Sequence, residues 1–387
     1  MEKYFPLQLK NSSIEIIQVI EKKHMIFHHP LPLRYDASSG SGVRPVRMVS
    51  AFRAIGYEVT TITGTAAERH AAMIETRKAL SAGRRYDFCY FENSTMPSAL
   101  TESHHLPIRG EMDLSFLESL KYFGIPIGAF YRDAQWKLPR SEVASTARWK
   151  RRIAEIFYKR ELHALIENAD ILYVPSMEFA EWLKLPDRIC TSALPPGAEV
   201  KPLSAESSGE FAMMYVGGVS GPIYDIRPFL RLVEKLPDEK FLIVCREAEW
   251  KNLAVREKIP ENLIVKHAHS SELDGLYAKA DLFSIIMGHT DYFDLAMPIK
   301  LFDALGRGIP IVASSGTASA EFVKSQGIGW VVDTIDEAAE KIRFLRGKGK
   351  VELNAVKSGL SGIAMKNSWE SRAYQVANEL TALGKAR

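Results

Sequence analysis

Short apolar runs along this chain are followed, again and again, by longer stretches whose apolar positions recur at helical spacing. Runs of the first kind read as strands, and stretches of the second kind read as helices. In the first half, strand patterns fall at Met25–His28, Glu58–Thr63, Tyr86–Phe91, Ile125–Tyr131 and Ile171–Pro175. Between them, Pro45 opens a helix carrying Val46, Val49, Phe52 and Ile55 on one face, and Leu114–Phe123 and the stretch from Arg148 to Asp170 are helical. The second half repeats the alternation. Phe211–Val216, Lys240–Cys245, Leu263–Lys266, Asp281–Met287 and Ile311–Ser314 read as strands, and Pro228–Lys235 and Glu272–Lys279 as helices. A further helix starts at Pro298 and ends at Gly306, Gly308 and Pro310, and Asn367–Leu383 forms a last one. Strand–helix alternation of this kind predicts an α/β fold of two Rossmann-like parallel domains.

Length supports the division, since 387 residues exceed one ordinary core and suit two domains of about 150–200 each. Lys201–Glu210 is polar and rich in small residues, so the boundary is expected near residue 203. The expected parts are residues 1–203, residues 204–366, and a terminal segment 367–387. Charge is nearly balanced, 50 Lys and Arg against 47 Asp and Glu, which argues against a nucleic-acid partner. Cys89, Cys190 and Cys245 are scattered and set in or beside apolar runs, so all three are expected to be buried thiols. The first 23 residues lack a signal-peptide pattern, and no run reaches the ~20 apolar residues of a membrane span, so a cytoplasmic protein is expected.

Candidate chemistry concentrates at helix starts. A helix that follows a strand of a parallel sheet points its first N–H groups at the crevice where anions bind. Lys300 sits in the first turn after Pro298 and Ile299, and Asp303 follows on the same face. A cation able to reach phosphate beside a carboxylate able to accept from a ribose diol makes a nucleotide grip; the plainer alternative is a surface ion pair. Gly40, Ser41, Gly42 and Arg44 form a second phosphate-binding candidate, with Arg47 behind them. A dinucleotide G-x-G-x-x-G fails there, because Pro45 stands where the third glycine belongs.

The pattern P-x-K-L-F-D-A-L-G-R-G-I-P-I-V-A-S resembles the nucleotide-sugar signature of GT-B glycosyltransferases, especially those similar to family four, typically P-x-K-x-x-E-Y-x-A-x-G-x-P-V. G-Y-E-V-T-T-I-T, N-A-D-I-L-Y-V-P-S, P-P-G-A-E-V and Y-V-G-G-V-S-G are similar to further steps of that family. The resemblance implies a GT-B fold with an acceptor-side first domain, a donor-side second domain and a terminal helix crossing back onto the first. It also implies transfer from a nucleotide-sugar donor to a glycan or lipid-linked acceptor, with retention. Departures are local. Asp303 stands where the family has glutamate, Gly218 where it has arginine, and Leu295 where it has the first glutamate of E-x7-E. The donor contacts so implied are Gly217, Gly218, Arg227, His289, Asp291, Asp294, Pro298, Ile299, Lys300 and Asp303.

Departure of a nucleoside diphosphate develops negative charge, which a metal or cationic and backbone donors must meet. The chain has no D-x-D, H-E-x-x-H or Cys/His cluster, so Lys300 and helix ends are expected to do this without metal or cofactor. An enzyme working by inversion would instead need a general base on the acceptor side, for which Asp133 with Arg132, after the Ile125–Tyr131 strand, is the best candidate, ahead of His28, His29, His104 and His105. Arg148–Arg160 holds six Lys/Arg and one acid, with Trp149, Ile153, Ile156 and Phe157 on one face. Such a helix either lies on an anionic membrane surface or packs its Trp face inward. A nucleotide-sugar 2-epimerase and a non-catalytic nucleotide-sugar-binding subunit are the rival functions.

Overall fold

The computed structural model describes residues 23–36, 40–139, 148–201, 211–219, 221, 223–255, 257–268 and 272–386. Two six-stranded sheets carry the fold, and every registered strand pair is parallel. The first comprises β1 (Lys23–His28), β2 (Tyr57–Ile62), β3 (Phe88–Glu92), β4 (Ile127–Phe130), β5 (Ile171–Val174) and β6 (Cys190–Ala193), in the order β2-β1-β3-β4-β5-β6. The second comprises β7 (Ala212–Val216), β8 (Lys240–Val244), β9 (Leu263–Lys266), β10 (Leu282–Ile285), β11 (Ile311–Ser314) and β12 (Gly329–Val332), in the order β12-β11-β10-β7-β8-β9. Central strands such as β3, β4, β5 and β10 are buried along their whole length, as parallel strands covered on both faces must be. In each sheet the order reverses beside the first strand, which opens a crevice at the carboxyl ends of β1 and β3 and of β7 and β10. The two crevices face one cleft of about 1680 Å³.

The helix Trp369–Ala386 packs in the first sheet's core, where Trp369, Ala373, Val376 and Leu380 join Phe27, Phe52 and Tyr90. Linker and donor-side helix meet at Gly306, where a Cβ would stand 2.2 Å from the Glu199 carbonyl oxygen. Only glycine lets the two backbones approach so closely, and Lys201 N–H seals the contact on the Gly306 carbonyl. The expected boundary near residue 203 lies outside the described residues, as does most of the linker.

Several expectations need correction. The first helix begins at Gly40, not Pro45, so Gly40, Ser41 and Gly42 are its first turn rather than a loop before it. Cys190 is exposed, because β6 is the sheet's outer strand, whereas Cys89 and Cys245 are buried. Three of the four apolar residues named on the basic stretch do not pack inward: Trp149, Ile153 and Ile156 face solvent, while Phe157 is half-buried. The helix Ala66–Ser81 escaped the periodicity because it buries only Arg69, Met73 and Thr76; its sequence signal was the Thr65–Glu68 capping box. The chain also forms β6, β12 and the helices Ala318–Gln326, Ile335–Arg346 and Lys350–Lys366, which the patterns above do not single out.

Candidate active site

From β10 the chain runs through Gly288 and a short helix, Asp291–Leu295, to Pro298, whose extended backbone caps the helix Ile299–Gly306. Lys300 Nζ donates to Asp303 Oδ2 at 2.8 Å, and both side chains are partly buried in the cleft wall with Asp291, Pro298 and Ile299. Behind them stands a residue the sequence reading missed. Arg307, 9% exposed, donates to the Asp303 carbonyl at 2.9 Å, lies 4.6 Å over the Tyr277 ring and pairs with Asp274. Its signal was its place four residues after Asp303 on one helix face.

Leu295, where the resembling family has glutamate, is half-buried against the hydrophobic core of the first domain. Ile299 likewise packs on the first domain, 3.5 Å from where a Cβ on Gly40 would stand. The segment carrying Lys300 is thereby docked against the opposite domain. The glycine loop after β7 is shaped by aromatic rings: a Cβ at Gly217 would meet the Tyr215 hydroxyl at 2.6 Å, and one at Gly218 the Tyr224 ring at 2.8 Å. Both glycines line the cleft. Arg227, His289 and Asp294 lie outside its wall; Arg227 pairs with Asp225, and His289 Nδ1 meets Asp294 Oδ1 at 2.8 Å.

Across the cleft, Gly40, Ser41 and Arg132 form the wall beside Asp133, while Gly42 does not reach it. Arg44 is buried and also lines the cleft: its guanidinium lies 3.7 Å over the Phe130 ring, and its Nε is 3.6 Å from the buried Glu92. Arg132 donates to Glu92 at 2.8 Å and reaches the Gly40 carbonyl at 3.4 Å. One fully buried carboxylate therefore pairs with two guanidiniums, and both arginines line the cleft. Burial pushes the Glu92 carboxyl above its ordinary range, against the pull of Arg44 and Arg132.

Asp133 accepts from the Thr95 side chain and the Gln135 backbone, but its Oδ1 is sealed from solvent with no hydrogen-bond partner. Burial raises its carboxyl to about 6, against the pull of Arg132. Tyr224 and Tyr292, hydrogen-bonded to each other, line the same cleft from the other domain. The histidines considered above do not line it. His28 is buried against Asp113, His29 is buried on the Glu92 carbonyl, and His104 and His105 serve the loop around Leu100–Leu106.

The raised Asp133 carboxyl predicts a pH effect on stability. Its folded value, about 6, exceeds the ordinary 3.8, so between those values the native state keeps a proton that the unfolded state gives up. Asp133 thereby contributes a fall in stability as pH rises through this window, by up to about 3 kcal/mol. Buried Glu161, raised to about 7, acts in the same direction, and buried His29, lowered to about 3, in the opposite one. Stability of the native chain and of Asp133→Asn from pH 4.5 to 8 checks this: their difference is expected to change with pH in the direction given for Asp133, and a pH-independent difference contradicts the assignment.

Residues 245–355 match the family described as Glucosyltransferase 3-like, C-terminal domain. Glucosyltransferase 3 of Streptococcus parasanguinis is 32% identical over 63 residues, 16% of this chain. The chain's match spans about a fifth of that relative, 19% of its length. Among solved structures, Anabaena HepE in complex with UDP has a TM-score of 0.58 at 12% identity, covering 93% of this chain and 100% of that one. A glycosyltransferase from Rickettsia africae has a TM-score of 0.59 at 12% identity, covering 94% of this chain and 100% of that one. Two Rossmann-like domains across one cleft, shared over their full length with these proteins, give the chain the GT-B glycosyltransferase fold, with a family-four-like signature in its second domain.

Proposed function

We propose that this protein transfers a sugar from a nucleotide-sugar donor to a glycan or lipid-linked acceptor, with retention and without a metal, in cell-surface polysaccharide or glycoconjugate synthesis. The observation that carries this reading is the meeting of Lys300 and Asp303, at a helix start, with Arg132 and Asp133 across a single cleft. HepE, crystallised with UDP and with UDP-glucose, supports a nucleoside diphosphate sugar as donor. In this reading the bond from the anomeric carbon to the diphosphate oxygen breaks, and the departing charge is met by Lys300 and the N–H groups that open the helix Ile299–Gly306. Asp133, at the cleft wall, orients the acceptor hydroxyl in this reading.

Titration with a panel of nucleoside diphosphates, followed by product release with and without acceptor, tests the assignment. Acceptor-dependent release that survives EDTA is expected. Abolition by EDTA with rescue by magnesium or manganese would overturn the metal-free mechanism. Turnover of free nucleotide sugar without acceptor instead indicates the epimerase. Binding without release across a broad acceptor screen indicates the non-catalytic subunit, a reading favoured by Gly218 and Leu295.

The acceptor reading extends to a membrane surface. Among the described residues no helix is long and apolar enough to cross a membrane. Exposed Trp149, Ile153 and Ile156 instead share the basic helix with exposed Lys150, Arg152 and Lys159. Apolar side chains rimmed by cations suit the anionic interface where lipid-linked acceptors reside, each cation contributing about 1 kcal/mol. Arg151 is a poor probe, since it is tied to the Leu138 carbonyl at 2.7 Å. Sedimentation with anionic vesicles is expected to weaken with salt and with Lys150→Glu/Arg152→Glu, and to be lost in Trp149→Ser/Ile156→Ser. Absent or salt-independent binding removes the membrane from the reading.

A further inference from the structure

The glycine loop Gly217–Val219 has no room for a cation of its own. Tyr224 fills the space a side chain at Gly218 would need, and Arg227 is committed to Asp225. The neighbouring strand supplies one. β8 lies beside β7 and ends at Val244; two residues later Arg246 caps the helix Glu247–Ala254 and reaches the same cleft wall.

Its present partner is informative. Arg246 Nε donates to Glu249 Oε1 at 2.9 Å, while Glu249 Oε2 accepts from the Val219 backbone N–H at 3.1 Å. A single carboxylate thus joins a guanidinium to a backbone amide of the glycine loop. Those are the two kinds of donor that hold a phosphate oxygen at a strand end in this fold. The Arg246 side chain is 74% exposed and that of Glu249 only 20%, so the guanidinium can turn toward a ligand while the carboxylate stays close to the loop.

We propose that Arg246 is the diphosphate-binding cation on this side of the donor site, and that Glu249 is an internal anion which the diphosphate displaces from Val219 and Arg246. The proposal rests on the donor-site reading above and deepens it. Lys300 meets the diphosphate from the helix Ile299–Gly306, and Arg246 meets it from the carboxyl end of β8. Arg246 thereby takes the work of the arginine that Tyr224 excludes from position 218. Arg246 is too exposed for its removal to disturb folding, so substitutions there read binding directly.

Calorimetric titration of the full chain with UDP, GDP and ADP, each beside its nucleoside monophosphate, tests the proposal. Arg246→Ala is expected to weaken the tightest-binding diphosphate by roughly 10–100-fold, with a clearly smaller loss for its monophosphate, and Arg246→Lys to recover part of it. Glu249→Gln removes the competing charge and is expected to tighten the diphosphate by roughly three- to tenfold. Unchanged diphosphate affinity in Arg246→Ala, equal losses for diphosphate and monophosphate, or weaker binding in Glu249→Gln overturns the proposal. Lys300→Ala and Asp303→Ala separate the two levels of inference. If both weaken binding while Arg246→Ala does not, only the role of Arg246 falls; if neither does, the donor-site reading falls with it.

Discussion

Asp303→Ala is expected to weaken nucleoside diphosphate binding by roughly 10–150-fold, because it leaves a ribose diol without its charged acceptor. Lys300→Ala should behave differently. The ammonium meets charge that grows as the diphosphate departs, so its loss lowers kcat as well as donor affinity. Asp303→Glu restores the residue usual in the resembling family and should keep substantial activity. The competing reading is that the 2.8 Å contact between Lys300 and Asp303 is only an ion pair. Such a partly exposed pair contributes about 0–1 kcal/mol, and Arg307 keeps Asp274 when Asp303 is removed. Melting temperature should therefore barely move in Asp303→Ala. Unchanged diphosphate affinity, measured beside that melting temperature, takes Asp303 out of the site.

The inner strands of both sheets were legible because parallel strands covered on both faces must be almost wholly apolar, as Phe88–Glu92 and Leu282–Ile285 are, whereas the outer strands β6 and β12, only partly buried, were missed. Helices with an apolar stripe, such as Met112–Tyr122, were legible for the same reason. Ala66–Ser81 was not, since its buried face is built on Arg69, a residue that periodicity scores as polar. Of the residues that line the cleft, Lys300, Asp303 and Asp133 were singled out from their place after a strand or at a helix start. Tyr224 and Arg246 were not, because one follows β7 and the other β8, and strand order brings the two segments together. Nothing local in Y-V-G-G-V reveals that the glycine at 218 makes room for a ring six residues on. Arg44 shows what spacing leaves open: its place after Gly40 and Gly42 does bring it to the cleft wall, while the early helix start, invisible in the pattern, lays its guanidinium over Phe130.

Asp113→Asn is expected to destabilise the protein by about 3–5 kcal/mol at neutral pH without altering the chemistry of the molecules that remain folded. Asp113 and Arg69 are each about 1% exposed, and Arg69 donates to both Asp113 oxygens, at 2.9 and 3.0 Å. The same guanidinium binds the carbonyls of Pro30 and Gly64, so it ties down the loops that follow β1 and β2. Removing the carboxylate charge strands a guanidinium that water cannot reach. His28 completes the cluster through Nε2, 2.7 Å from Asp113, and its buried Nδ1 has no partner, which fits the neutral tautomer carrying its proton on Nε2. Burial lowers the His28 pKa, and the ring stacks on Phe91, so it is a structural residue and no general base. For Asp113, burial alone would raise the carboxyl, but the His28 hydrogen bond and the Arg69 guanidinium outweigh it and hold the value at about 2. A folded value below the unfolded one means that this stabilisation is present above the ordinary carboxylate range and is lost as pH falls through about 2. That is the opposite sign to Asp133, so one chain should show two pH limbs assignable by single variants. Urea denaturation of Asp113→Asn at pH 7, beside specific activity corrected for the folded fraction, decides the matter. A loss below about 1 kcal/mol would show that the cluster is not the pin described here, and a fall in corrected activity would return His28 and Asp113 to the list of catalytic candidates.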